Sequence, residues 1–359
     1  MSRIETVTTD RLTTRLHTPF VTALRRTTTA DTVVVRVTDS DGVTGWGEAP
    51  QVWQVTGESL AGAEACLRGP LAATVVGLDA DDLVPACRSV SAAVAANHGA
   101  KAAMDVALHD LAARRRGVPL PVFLGSTTSR VPTDVTLAAG DAEEVATTAA
   151  TRAKEGFTVL KLKVGTDAAT DVARVRAVRE AVGAGVRVRL DANQGWTPRE
   201  AVRVVGAIED AGLDVELVEQ PVPAADLEGL AYVTARVATP VMADESVYGV
   251  RDLVEVIRRR AADLVNVKLA KCGGIATART LLDLARAHGL GTMVGSMMES
   301  HVGVGAAASV VAAFGTTAVA DLDAAWWAES PRVRGGLRYD GPVVVLPDAP
   351  GLGIDGFAP

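Results

Sequence analysis

From about residue 133 onward the chain repeats one pattern: a short β-branched run, a polar turn, then apolar residues at helical spacing. The apolar runs lie at Asp134–Ala138, Val159–Val164, Val186–Asp191, Val215–Glu219, Pro240–Ala243, Leu264–Lys268, Thr292–Gly295 and Ala318–Asp321. Successive runs begin roughly 24 to 29 residues apart, about the length of one βα unit. Seven or eight such units in series predict an α/β fold of the (β/α)8 barrel type. An open doubly wound sheet would want a Gly-rich phosphate turn after its first strand, and Ala138-Ala139-Gly140-Asp141 does not supply one.

The first 120 residues follow another pattern. Thr32–Thr38 and Val43–Glu48 flank Asp39-Ser40-Asp41-Gly42, which predicts an antiparallel hairpin. An Ala-rich helical region follows and ends in Ala100–Arg116. Beyond Asp323, the glycines Gly335-Gly336 and the run Val343–Leu346 read as strand and loop returning to the first part. The expected organisation is an α+β cap over residues 1–124, a barrel over 125–322 and a C-terminal segment, 323–359, that rejoins the cap.

Composition narrows the classes. With 48% hydrophobic and 22% charged residues, the chain of 359 has material for a packed core. A net charge of −7 argues against nucleic acid, and the two basic runs, Arg114-Arg115-Arg116 and Arg258-Arg259-Arg260, read as solvated helix ends. No run reaches the roughly 18 apolar residues of a membrane span. The longest candidate, Val302 to Phe314, reads as a buried helix. Met1 to Asp10 lacks a signal-peptide core, and Cys66, Cys87 and Cys272 lack metal or redox spacing. A cytoplasmic protein with free thiols is expected; a homo-oligomer is compatible with a barrel of this size.

The chemistry is expected where barrel strands end. In order, those ends carry Lys161 and Lys163, Asp191, Glu219, Asp244, Lys268, Met297, and Asp321 with Asp323. The chain has six lysines against thirty arginines, and four of the six (Lys161, Lys163, Lys268 and Lys271) lie in two strand-end segments. An amine that can deprotonate is what lysine offers there and arginine does not. Period-two geometry turns Lys161 and Lys163 to the same inward side, and their repulsion should lower at least one pKa. Taken singly, Asp191 reads equally well as an Asx turn and Asp244 as a helix cap. Together, three acids ending three consecutive strands need a cation, and oxygen-only donors suit magnesium. The five histidines read as structural, Lys101 and Lys154 as helix residues, and Lys271 as support for the turn Cys272-Gly273-Gly274.

These segments resemble the muconate-lactonizing subgroup of the enolase superfamily. The ordered set is Gly45-Trp46-Gly47-Glu48, Lys161-Leu162-Lys163, Asp191-Ala192-Asn193, Glu219-Gln220-Pro221, Asp244-Glu245-Ser246, and Asn266-Val267-Lys268 through Gly273-Gly274. The resemblance implies that Asp191, Glu219 and Asp244 bind one Mg2+, and that Lys163 and Lys268 are bases on opposite faces of the substrate. It implies that Lys161 contacts the substrate carboxylate. Within the subgroup the chain is most similar to dipeptide epimerases, through Asp321-Leu322-Asp323 after Gly295-Ser296-Met297-Met298-Glu299-Ser300. In that family the Asp-x-Asp pair binds the α-ammonium of an L-dipeptide. Arg25 resembles an arginine that aids carboxylate recognition, and Thr136 a substrate contact. Specificity is expected in the loops near 19–26 and 51–57, at Met297-Met298 and at Trp326.

Rival readings stay open on sequence alone. o-Succinylbenzoate synthase, N-acylamino acid racemase and muconate cycloisomerase would share the metal and lysines without a use for Asp321 and Asp323. A Schiff-base lyase would need no metal. A non-catalytic binding barrel would leave the lysines without a purpose.

Overall fold

The computed structural model describes residues 2–22 and 25–358. Ala23 and Leu24, within the loop where specificity is expected, lie outside the described residues.

Seven strands form one parallel sheet in the order of the chain: Val135–Leu137, Val159–Lys163, Arg187–Asp191, Val215–Glu219, Val241–Ala243, Leu264–Lys268 and Gly291–Gly295. The eighth expected run is reduced to two bridges, Gly295 to Asp321 and Thr133 to Ala320, which close the seventh strand onto the first. Alternation along each strand separates two cores. Leu160, Leu162, Val188, Leu190, Val218, Val265, Val267 and Val294 point outward beneath the helices. Leu217, Met242, Met293 and Ala318 form a smaller inner cluster that plugs the barrel. Arg189, fully buried in the interior, pairs with Asp134 at 3.0 Å and Glu216 at 2.6 Å. The intervening helices start at side-chain caps that the sequence carries, among them Asp141, Asp167 and a Thr197–Glu200 capping box.

The cap is built on an antiparallel sheet of Ile4–Val21, Arg26–Asp39 and Thr44–Pro50. The last two strands are the expected hairpin, in register from Thr38 opposite Thr44 to Thr32 opposite Pro50. The sequence reading missed the long first strand, although Leu12, Thr14 and Leu16 are buried in alternation with exposed Arg11, Thr13 and Arg15. The Ala-rich region is the helix His98–Arg115, buried on nearly all sides between sheet and barrel. Its contact with the hairpin is so close that only glycine fits. A Cβ on Gly47 would lie 1.9 Å from the Ala103 carbonyl oxygen, and one on Gly45 2.1 Å from that of Ala107. The basic run that ends this helix is not simply solvated. Arg115 pairs with Asp39, Asp41 and Asp81, and Arg114 with Asp110, tying the helix to the hairpin turn and the tail.

Buried carboxylates of the cap clasp the barrel. Glu48 accepts hydrogen bonds from the Ser300 N–H, the Ser300 hydroxyl and the Gly303 N–H at 2.8–3.1 Å, at the start of the helix His301–Phe314. Asp105 accepts from the Ile275 N–H at 2.6 Å, at the start of the helix Ile275–Ala287, and pairs with His109. His109 is thus structural, as expected. The tail returns as strands: Val333–Gly335 pairs with Ile354–Phe357, and Val343–Val345 lies between Arg338–Asp340 and Arg130–Pro132. The three cysteines are buried free thiols, and among the described residues no helix is long and apolar enough to cross a membrane.

Glu48→Ala would strand three buried donors at the cap–barrel contact. Chemical denaturation should show a loss of roughly 2–4 kcal/mol, with a smaller loss for Glu48→Gln, which keeps the shape and one acceptor.

Candidate active site

Strand register sets the site. Lys163 lies opposite Asp191, and Asp191 opposite Glu219, so three functional groups end adjacent strands on one level. Asp244 follows the fifth strand directly, Lys268 ends the sixth opposite Gly295, and Gly295 bridges to Asp321. Side chains from these ends line a cleft of about 590 Å³, together with Phe20, Arg25 and Val55 of the cap and with Met297 and Met298. The cleft gathers Lys161, Lys163, Asp244, Lys268, Thr136, Met297, Asp321, Asp323 and Arg25 from the sequence reading, with Asp191 and Glu219 buried just behind its lysines.

Each lysine in the cleft faces a carboxylate. The Lys163 ammonium is 2.6 Å from Asp191 Oδ2, and that of Lys268 is 2.7 Å from Asp244 Oδ2. Lys161 donates to Asp321 Oδ2 and stands 3.9 Å from Asp191 Oδ2. For Lys161 the surrounding acids act against the expected lowering. Burial favours the neutral amine of Lys161, but Asp321, Glu219, Asp191 and Asp134 outweigh it and raise the pKa well above the ordinary value. Lys268 is likewise raised against burial by Asp244 and Glu219, with Lys161 opposing. Among the acids, burial and the neighbouring Asp191 push Glu219 up to about 8. Burial also acts to raise Asp244, but Lys268 and Lys271 more than offset it and hold that carboxyl far below the usual range.

The donor set fits a hard divalent cation. Asp191, Glu219 and Asp244 offer carboxylate oxygens at the ends of three consecutive strands, and Glu219 Oε2 is buried with no hydrogen-bond partner among the described residues. Asp191 forms the Asx turn and still presents its second oxygen to the site. Oδ1 closes an Asx turn by accepting from the Asn193 N–H at 2.9 Å, while Oδ2 faces Lys163. Asp244 is not a helix cap, because lysines occupy its carboxylate.

Asp321 and Asp323 reach the same cleft, though not from one strand face. The eighth strand ends at Asp321, and Asp323 opens the 3-10 turn Ala324–Trp327. Asp323 Oδ2 accepts from the Thr136 N–H at 2.7 Å and from Trp327 Nε1 at 3.0 Å, which fixes the carboxylate. Trp327 in turn stacks on His17 and meets Phe20 edge to face, packing against the cap. Tyr339 of the tail donates to the Leu322 carbonyl at 2.6 Å and holds the segment between the two acids. Arg25 is partly buried, burial lowers its pKa, and no carboxylate pairs with it among the described residues.

Sequence reasoning missed three roles. Lys271 does not support the following turn: its ammonium turns back to the carbonyl and Oδ1 of Asp244. Asn266 donates to Glu219 Oε1 at 2.7 Å, and Asn193 to Glu245 Oε1 at 3.2 Å. The signal for Lys271 was its rarity as a lysine in this chain; the asparagines sat inside quoted motifs with no role attached.

The comparisons agree with this geometry. Residues 144–356 match the model described as enolase C-terminal domain-like, and residues 3–125 match that of the mandelate racemase/muconate lactonizing enzyme N-terminal domain. The chain is 42% identical to the L-Ala-D/L-Glu epimerase of Bacillus subtilis, over 99% of this chain and 98% of that enzyme. It is 39% identical to a hydrophobic dipeptide epimerase of Enterococcus faecalis, over 95% and 96%. A substrate-liganded structure of the B. subtilis epimerase superposes with a TM-score of 0.96, covering 99% of each chain. An E. faecalis dipeptide epimerase complexed with Mg and L-Leu-L-Tyr superposes at 0.94, at 38% identity and covering 98% and 99%. An N-succinyl-L-Arg/Lys racemase of Bacillus cereus is 32% identical over 95% of this chain and 92% of that enzyme. Matched end to end in both its cap and its barrel, this chain belongs to the enolase superfamily, in the branch of mandelate racemase and the muconate lactonizing enzymes.

Proposed function

We propose that this protein is a Mg2+-dependent epimerase of dipeptides, acting by 1,1-proton transfer at the C-terminal residue. The observation that carries this reading is the pair of buried amines, Lys163 and Lys268, on the second and sixth barrel strands. Three acid-bearing strands separate them, and Asp321 and Asp323 border the same cleft. Solved relatives with Mg and a dipeptide bound support the cofactor and the substrate class. The free, buried thiols fit a cytoplasmic setting.

In this reading Asp191, Glu219 and Asp244 hold the cation, which supplies Lewis-acid stabilisation for negative charge growing on the substrate carboxylate. One lysine, as the neutral amine, takes the α-proton from its face, and the C–H electron pair moves onto the carboxylate as an enediolate. The other lysine, as the ammonium, returns a proton from the opposite face and inverts the centre. Lys161 faces the same carboxylate. Asp323, held by Thr136 and Trp327, and Asp321 receive the free α-ammonium.

If the lysines serve opposite faces, Lys163→Ala and Lys268→Ala each abolish epimerisation, yet each still exchanges the α-proton of one epimer with D2O. Proton NMR of L,L- and L,D-dipeptides distinguishes the two; exchange of the same epimer by both variants would break the assignment.

The ammonium site predicts a preference for free amines over N-acyl amino acids, a real contrast given the relative that racemises N-succinyl-L-Arg/Lys. Asp323→Asn should lower kcat/KM for an L,L-dipeptide by about 100-fold, roughly 3 kcal/mol. Faster turnover of the N-succinyl compound by the wild type would favour the racemase reading instead.

The guanidinium of Arg25, which pairs with no carboxylate among the described residues, supports an acidic side chain on the C-terminal residue. L-Ala-L-Glu should therefore outrun L-Ala-L-Leu, and Arg25→Met should erase most of the difference. Equal or faster turnover of the aliphatic dipeptide by the wild type would refute this specificity.

A further inference from the structure

The three acids assigned to the cation share a constraint. Apart from Lys163 and Lys268, which face Asp191 and Asp244, a further donor of the protein engages one oxygen of each carboxylate. Asp191 Oδ1 accepts from the Asn193 N–H at 2.9 Å, and Glu219 Oε1 from Asn266 Nδ2 at 2.7 Å. Asp244 Oδ1 is held by the Lys271 ammonium, which also reaches the Asp244 carbonyl, and the Asn266 carbonyl at 3.2 Å. The remaining oxygens are Asp191 Oδ2 and Asp244 Oδ2, facing Lys163 and Lys268, and the unpartnered Glu219 Oε2. Asn266 and Lys271 are both fully buried.

We propose that Asn266 and Lys271 are positioning residues that restrict these acids to one oxygen each, and so make the site select a small octahedral cation over a larger one. The proposal rests on Asp191, Glu219 and Asp244 being the cation ligands. Mg2+ requires close to octahedral geometry and takes carboxylates one oxygen at a time, whereas Ca2+ accepts six to eight oxygens and readily takes both from one carboxylate. To give Ca2+ both oxygens, Asp244 must abandon the Lys271 ammonium and Glu219 the Asn266 amide. Both donors are fully buried, so each swing costs a buried polar group its partner. Selectivity between two ions of equal charge thereby becomes a matter of donors lying behind the ligands.

The test is a pair of calorimetric titrations, MgCl2 and CaCl2, into chelator-stripped full-length wild type, Lys271→Met and Asn266→Ala. Removing the Lys271 charge shifts the affinities for two divalent ions together, so the ratio Kd(Ca)/Kd(Mg) reports denticity free of that effect. The expected result is a fall in this ratio of about tenfold in each variant. Ratios unchanged from wild type in both would overturn the proposal while leaving the ligand assignment standing. A wild type that binds no Mg2+ would overturn both. Should either variant fail to fold, infrared difference spectra of the wild type decide: one-oxygen carboxylate bands on Mg2+ loading support the proposal, and two-oxygen bands overturn it.

Discussion

The mouth of this barrel is governed by charge balance without water. Asp191, Glu219, Asp244, Glu245, Asp321 and Asp323 are buried there together with Lys161, Lys163, Lys268 and Lys271. Ions removed from water are tolerated only when opposite charges replace the lost hydration. The contacts obey this: Lys163 with Asp191, Lys161 with Asp321, Lys268 and Lys271 with Asp244. Acids still outnumber amines, and burial together with the neighbouring acids pushes Glu219 up to about 8 and Glu245 up to about 7. Such a site has room for added positive charge, and a divalent cation is its natural complement. A dipeptide adds none of its own, since its ammonium and carboxylate cancel. An acidic side chain would add one negative charge, and Arg25 lines the same cleft.

A site of this density holds only if its frame is stiff. Barrel strands supply one half of that stiffness, because their register fixes the levels of Lys163, Asp191 and Glu219 relative to one another. The cap supplies the other half through Glu48 and Asp105, whose carboxylates sit on the N-termini of two barrel helices. Buried acids there are favoured twice, by open backbone N–H groups and by the helix dipole. Glu48 directly follows Gly47 in Gly45-Trp46-Gly47-Glu48, whose glycines bring the strand against helix His98–Arg115. Glycine for approach and glutamate for the clasp therefore explain one short motif as a joint between two domains.

Much of this was legible in the sequence, because strands covered by helices must alternate their contents. The β runs, the hairpin turn and the strand-end acids and lysines follow from local periodicity and from the scarcity of lysine. The missed features depend on partners distant in the chain. The eighth strand shrinks to two bridges because Asp321 and Ala320 need only close the seam between the first and seventh strands. Asp323 leaves the strand because Trp327 and Thr136, far apart in sequence, capture its carboxylate. Lys271 sits a single helical turn from Lys268, and only the fold shows that both ammonium groups converge on Asp244. The first cap strand was missed because its threonines and arginines dilute the alternation of Leu12 and Leu16.

Relatives with this fold turn over different substrates, so the fold by itself does not choose among them. The choice must come from groups the proton transfer does not require. Lysines and carboxylates at strand ends are fixed by register and, in the proposed mechanism, suit any acid with a removable α-proton. Phe20, Arg25 and Val55 hang from the cap, and Met297 and Met298 from the loop after the seventh barrel strand. That loop is anchored where Glu299 accepts from the Met297 N–H at 2.8 Å and Glu48 accepts from the Ser300 N–H. Through these contacts the cap sets the position of the pocket wall as well as covering it. Substitutions in the cap can therefore change which side chain fits without disturbing where the α-carbon meets the two amines. Chemistry carried by strands and selection carried by the cap are separable because the clasp between them is made of buried hydrogen bonds that neither task consumes.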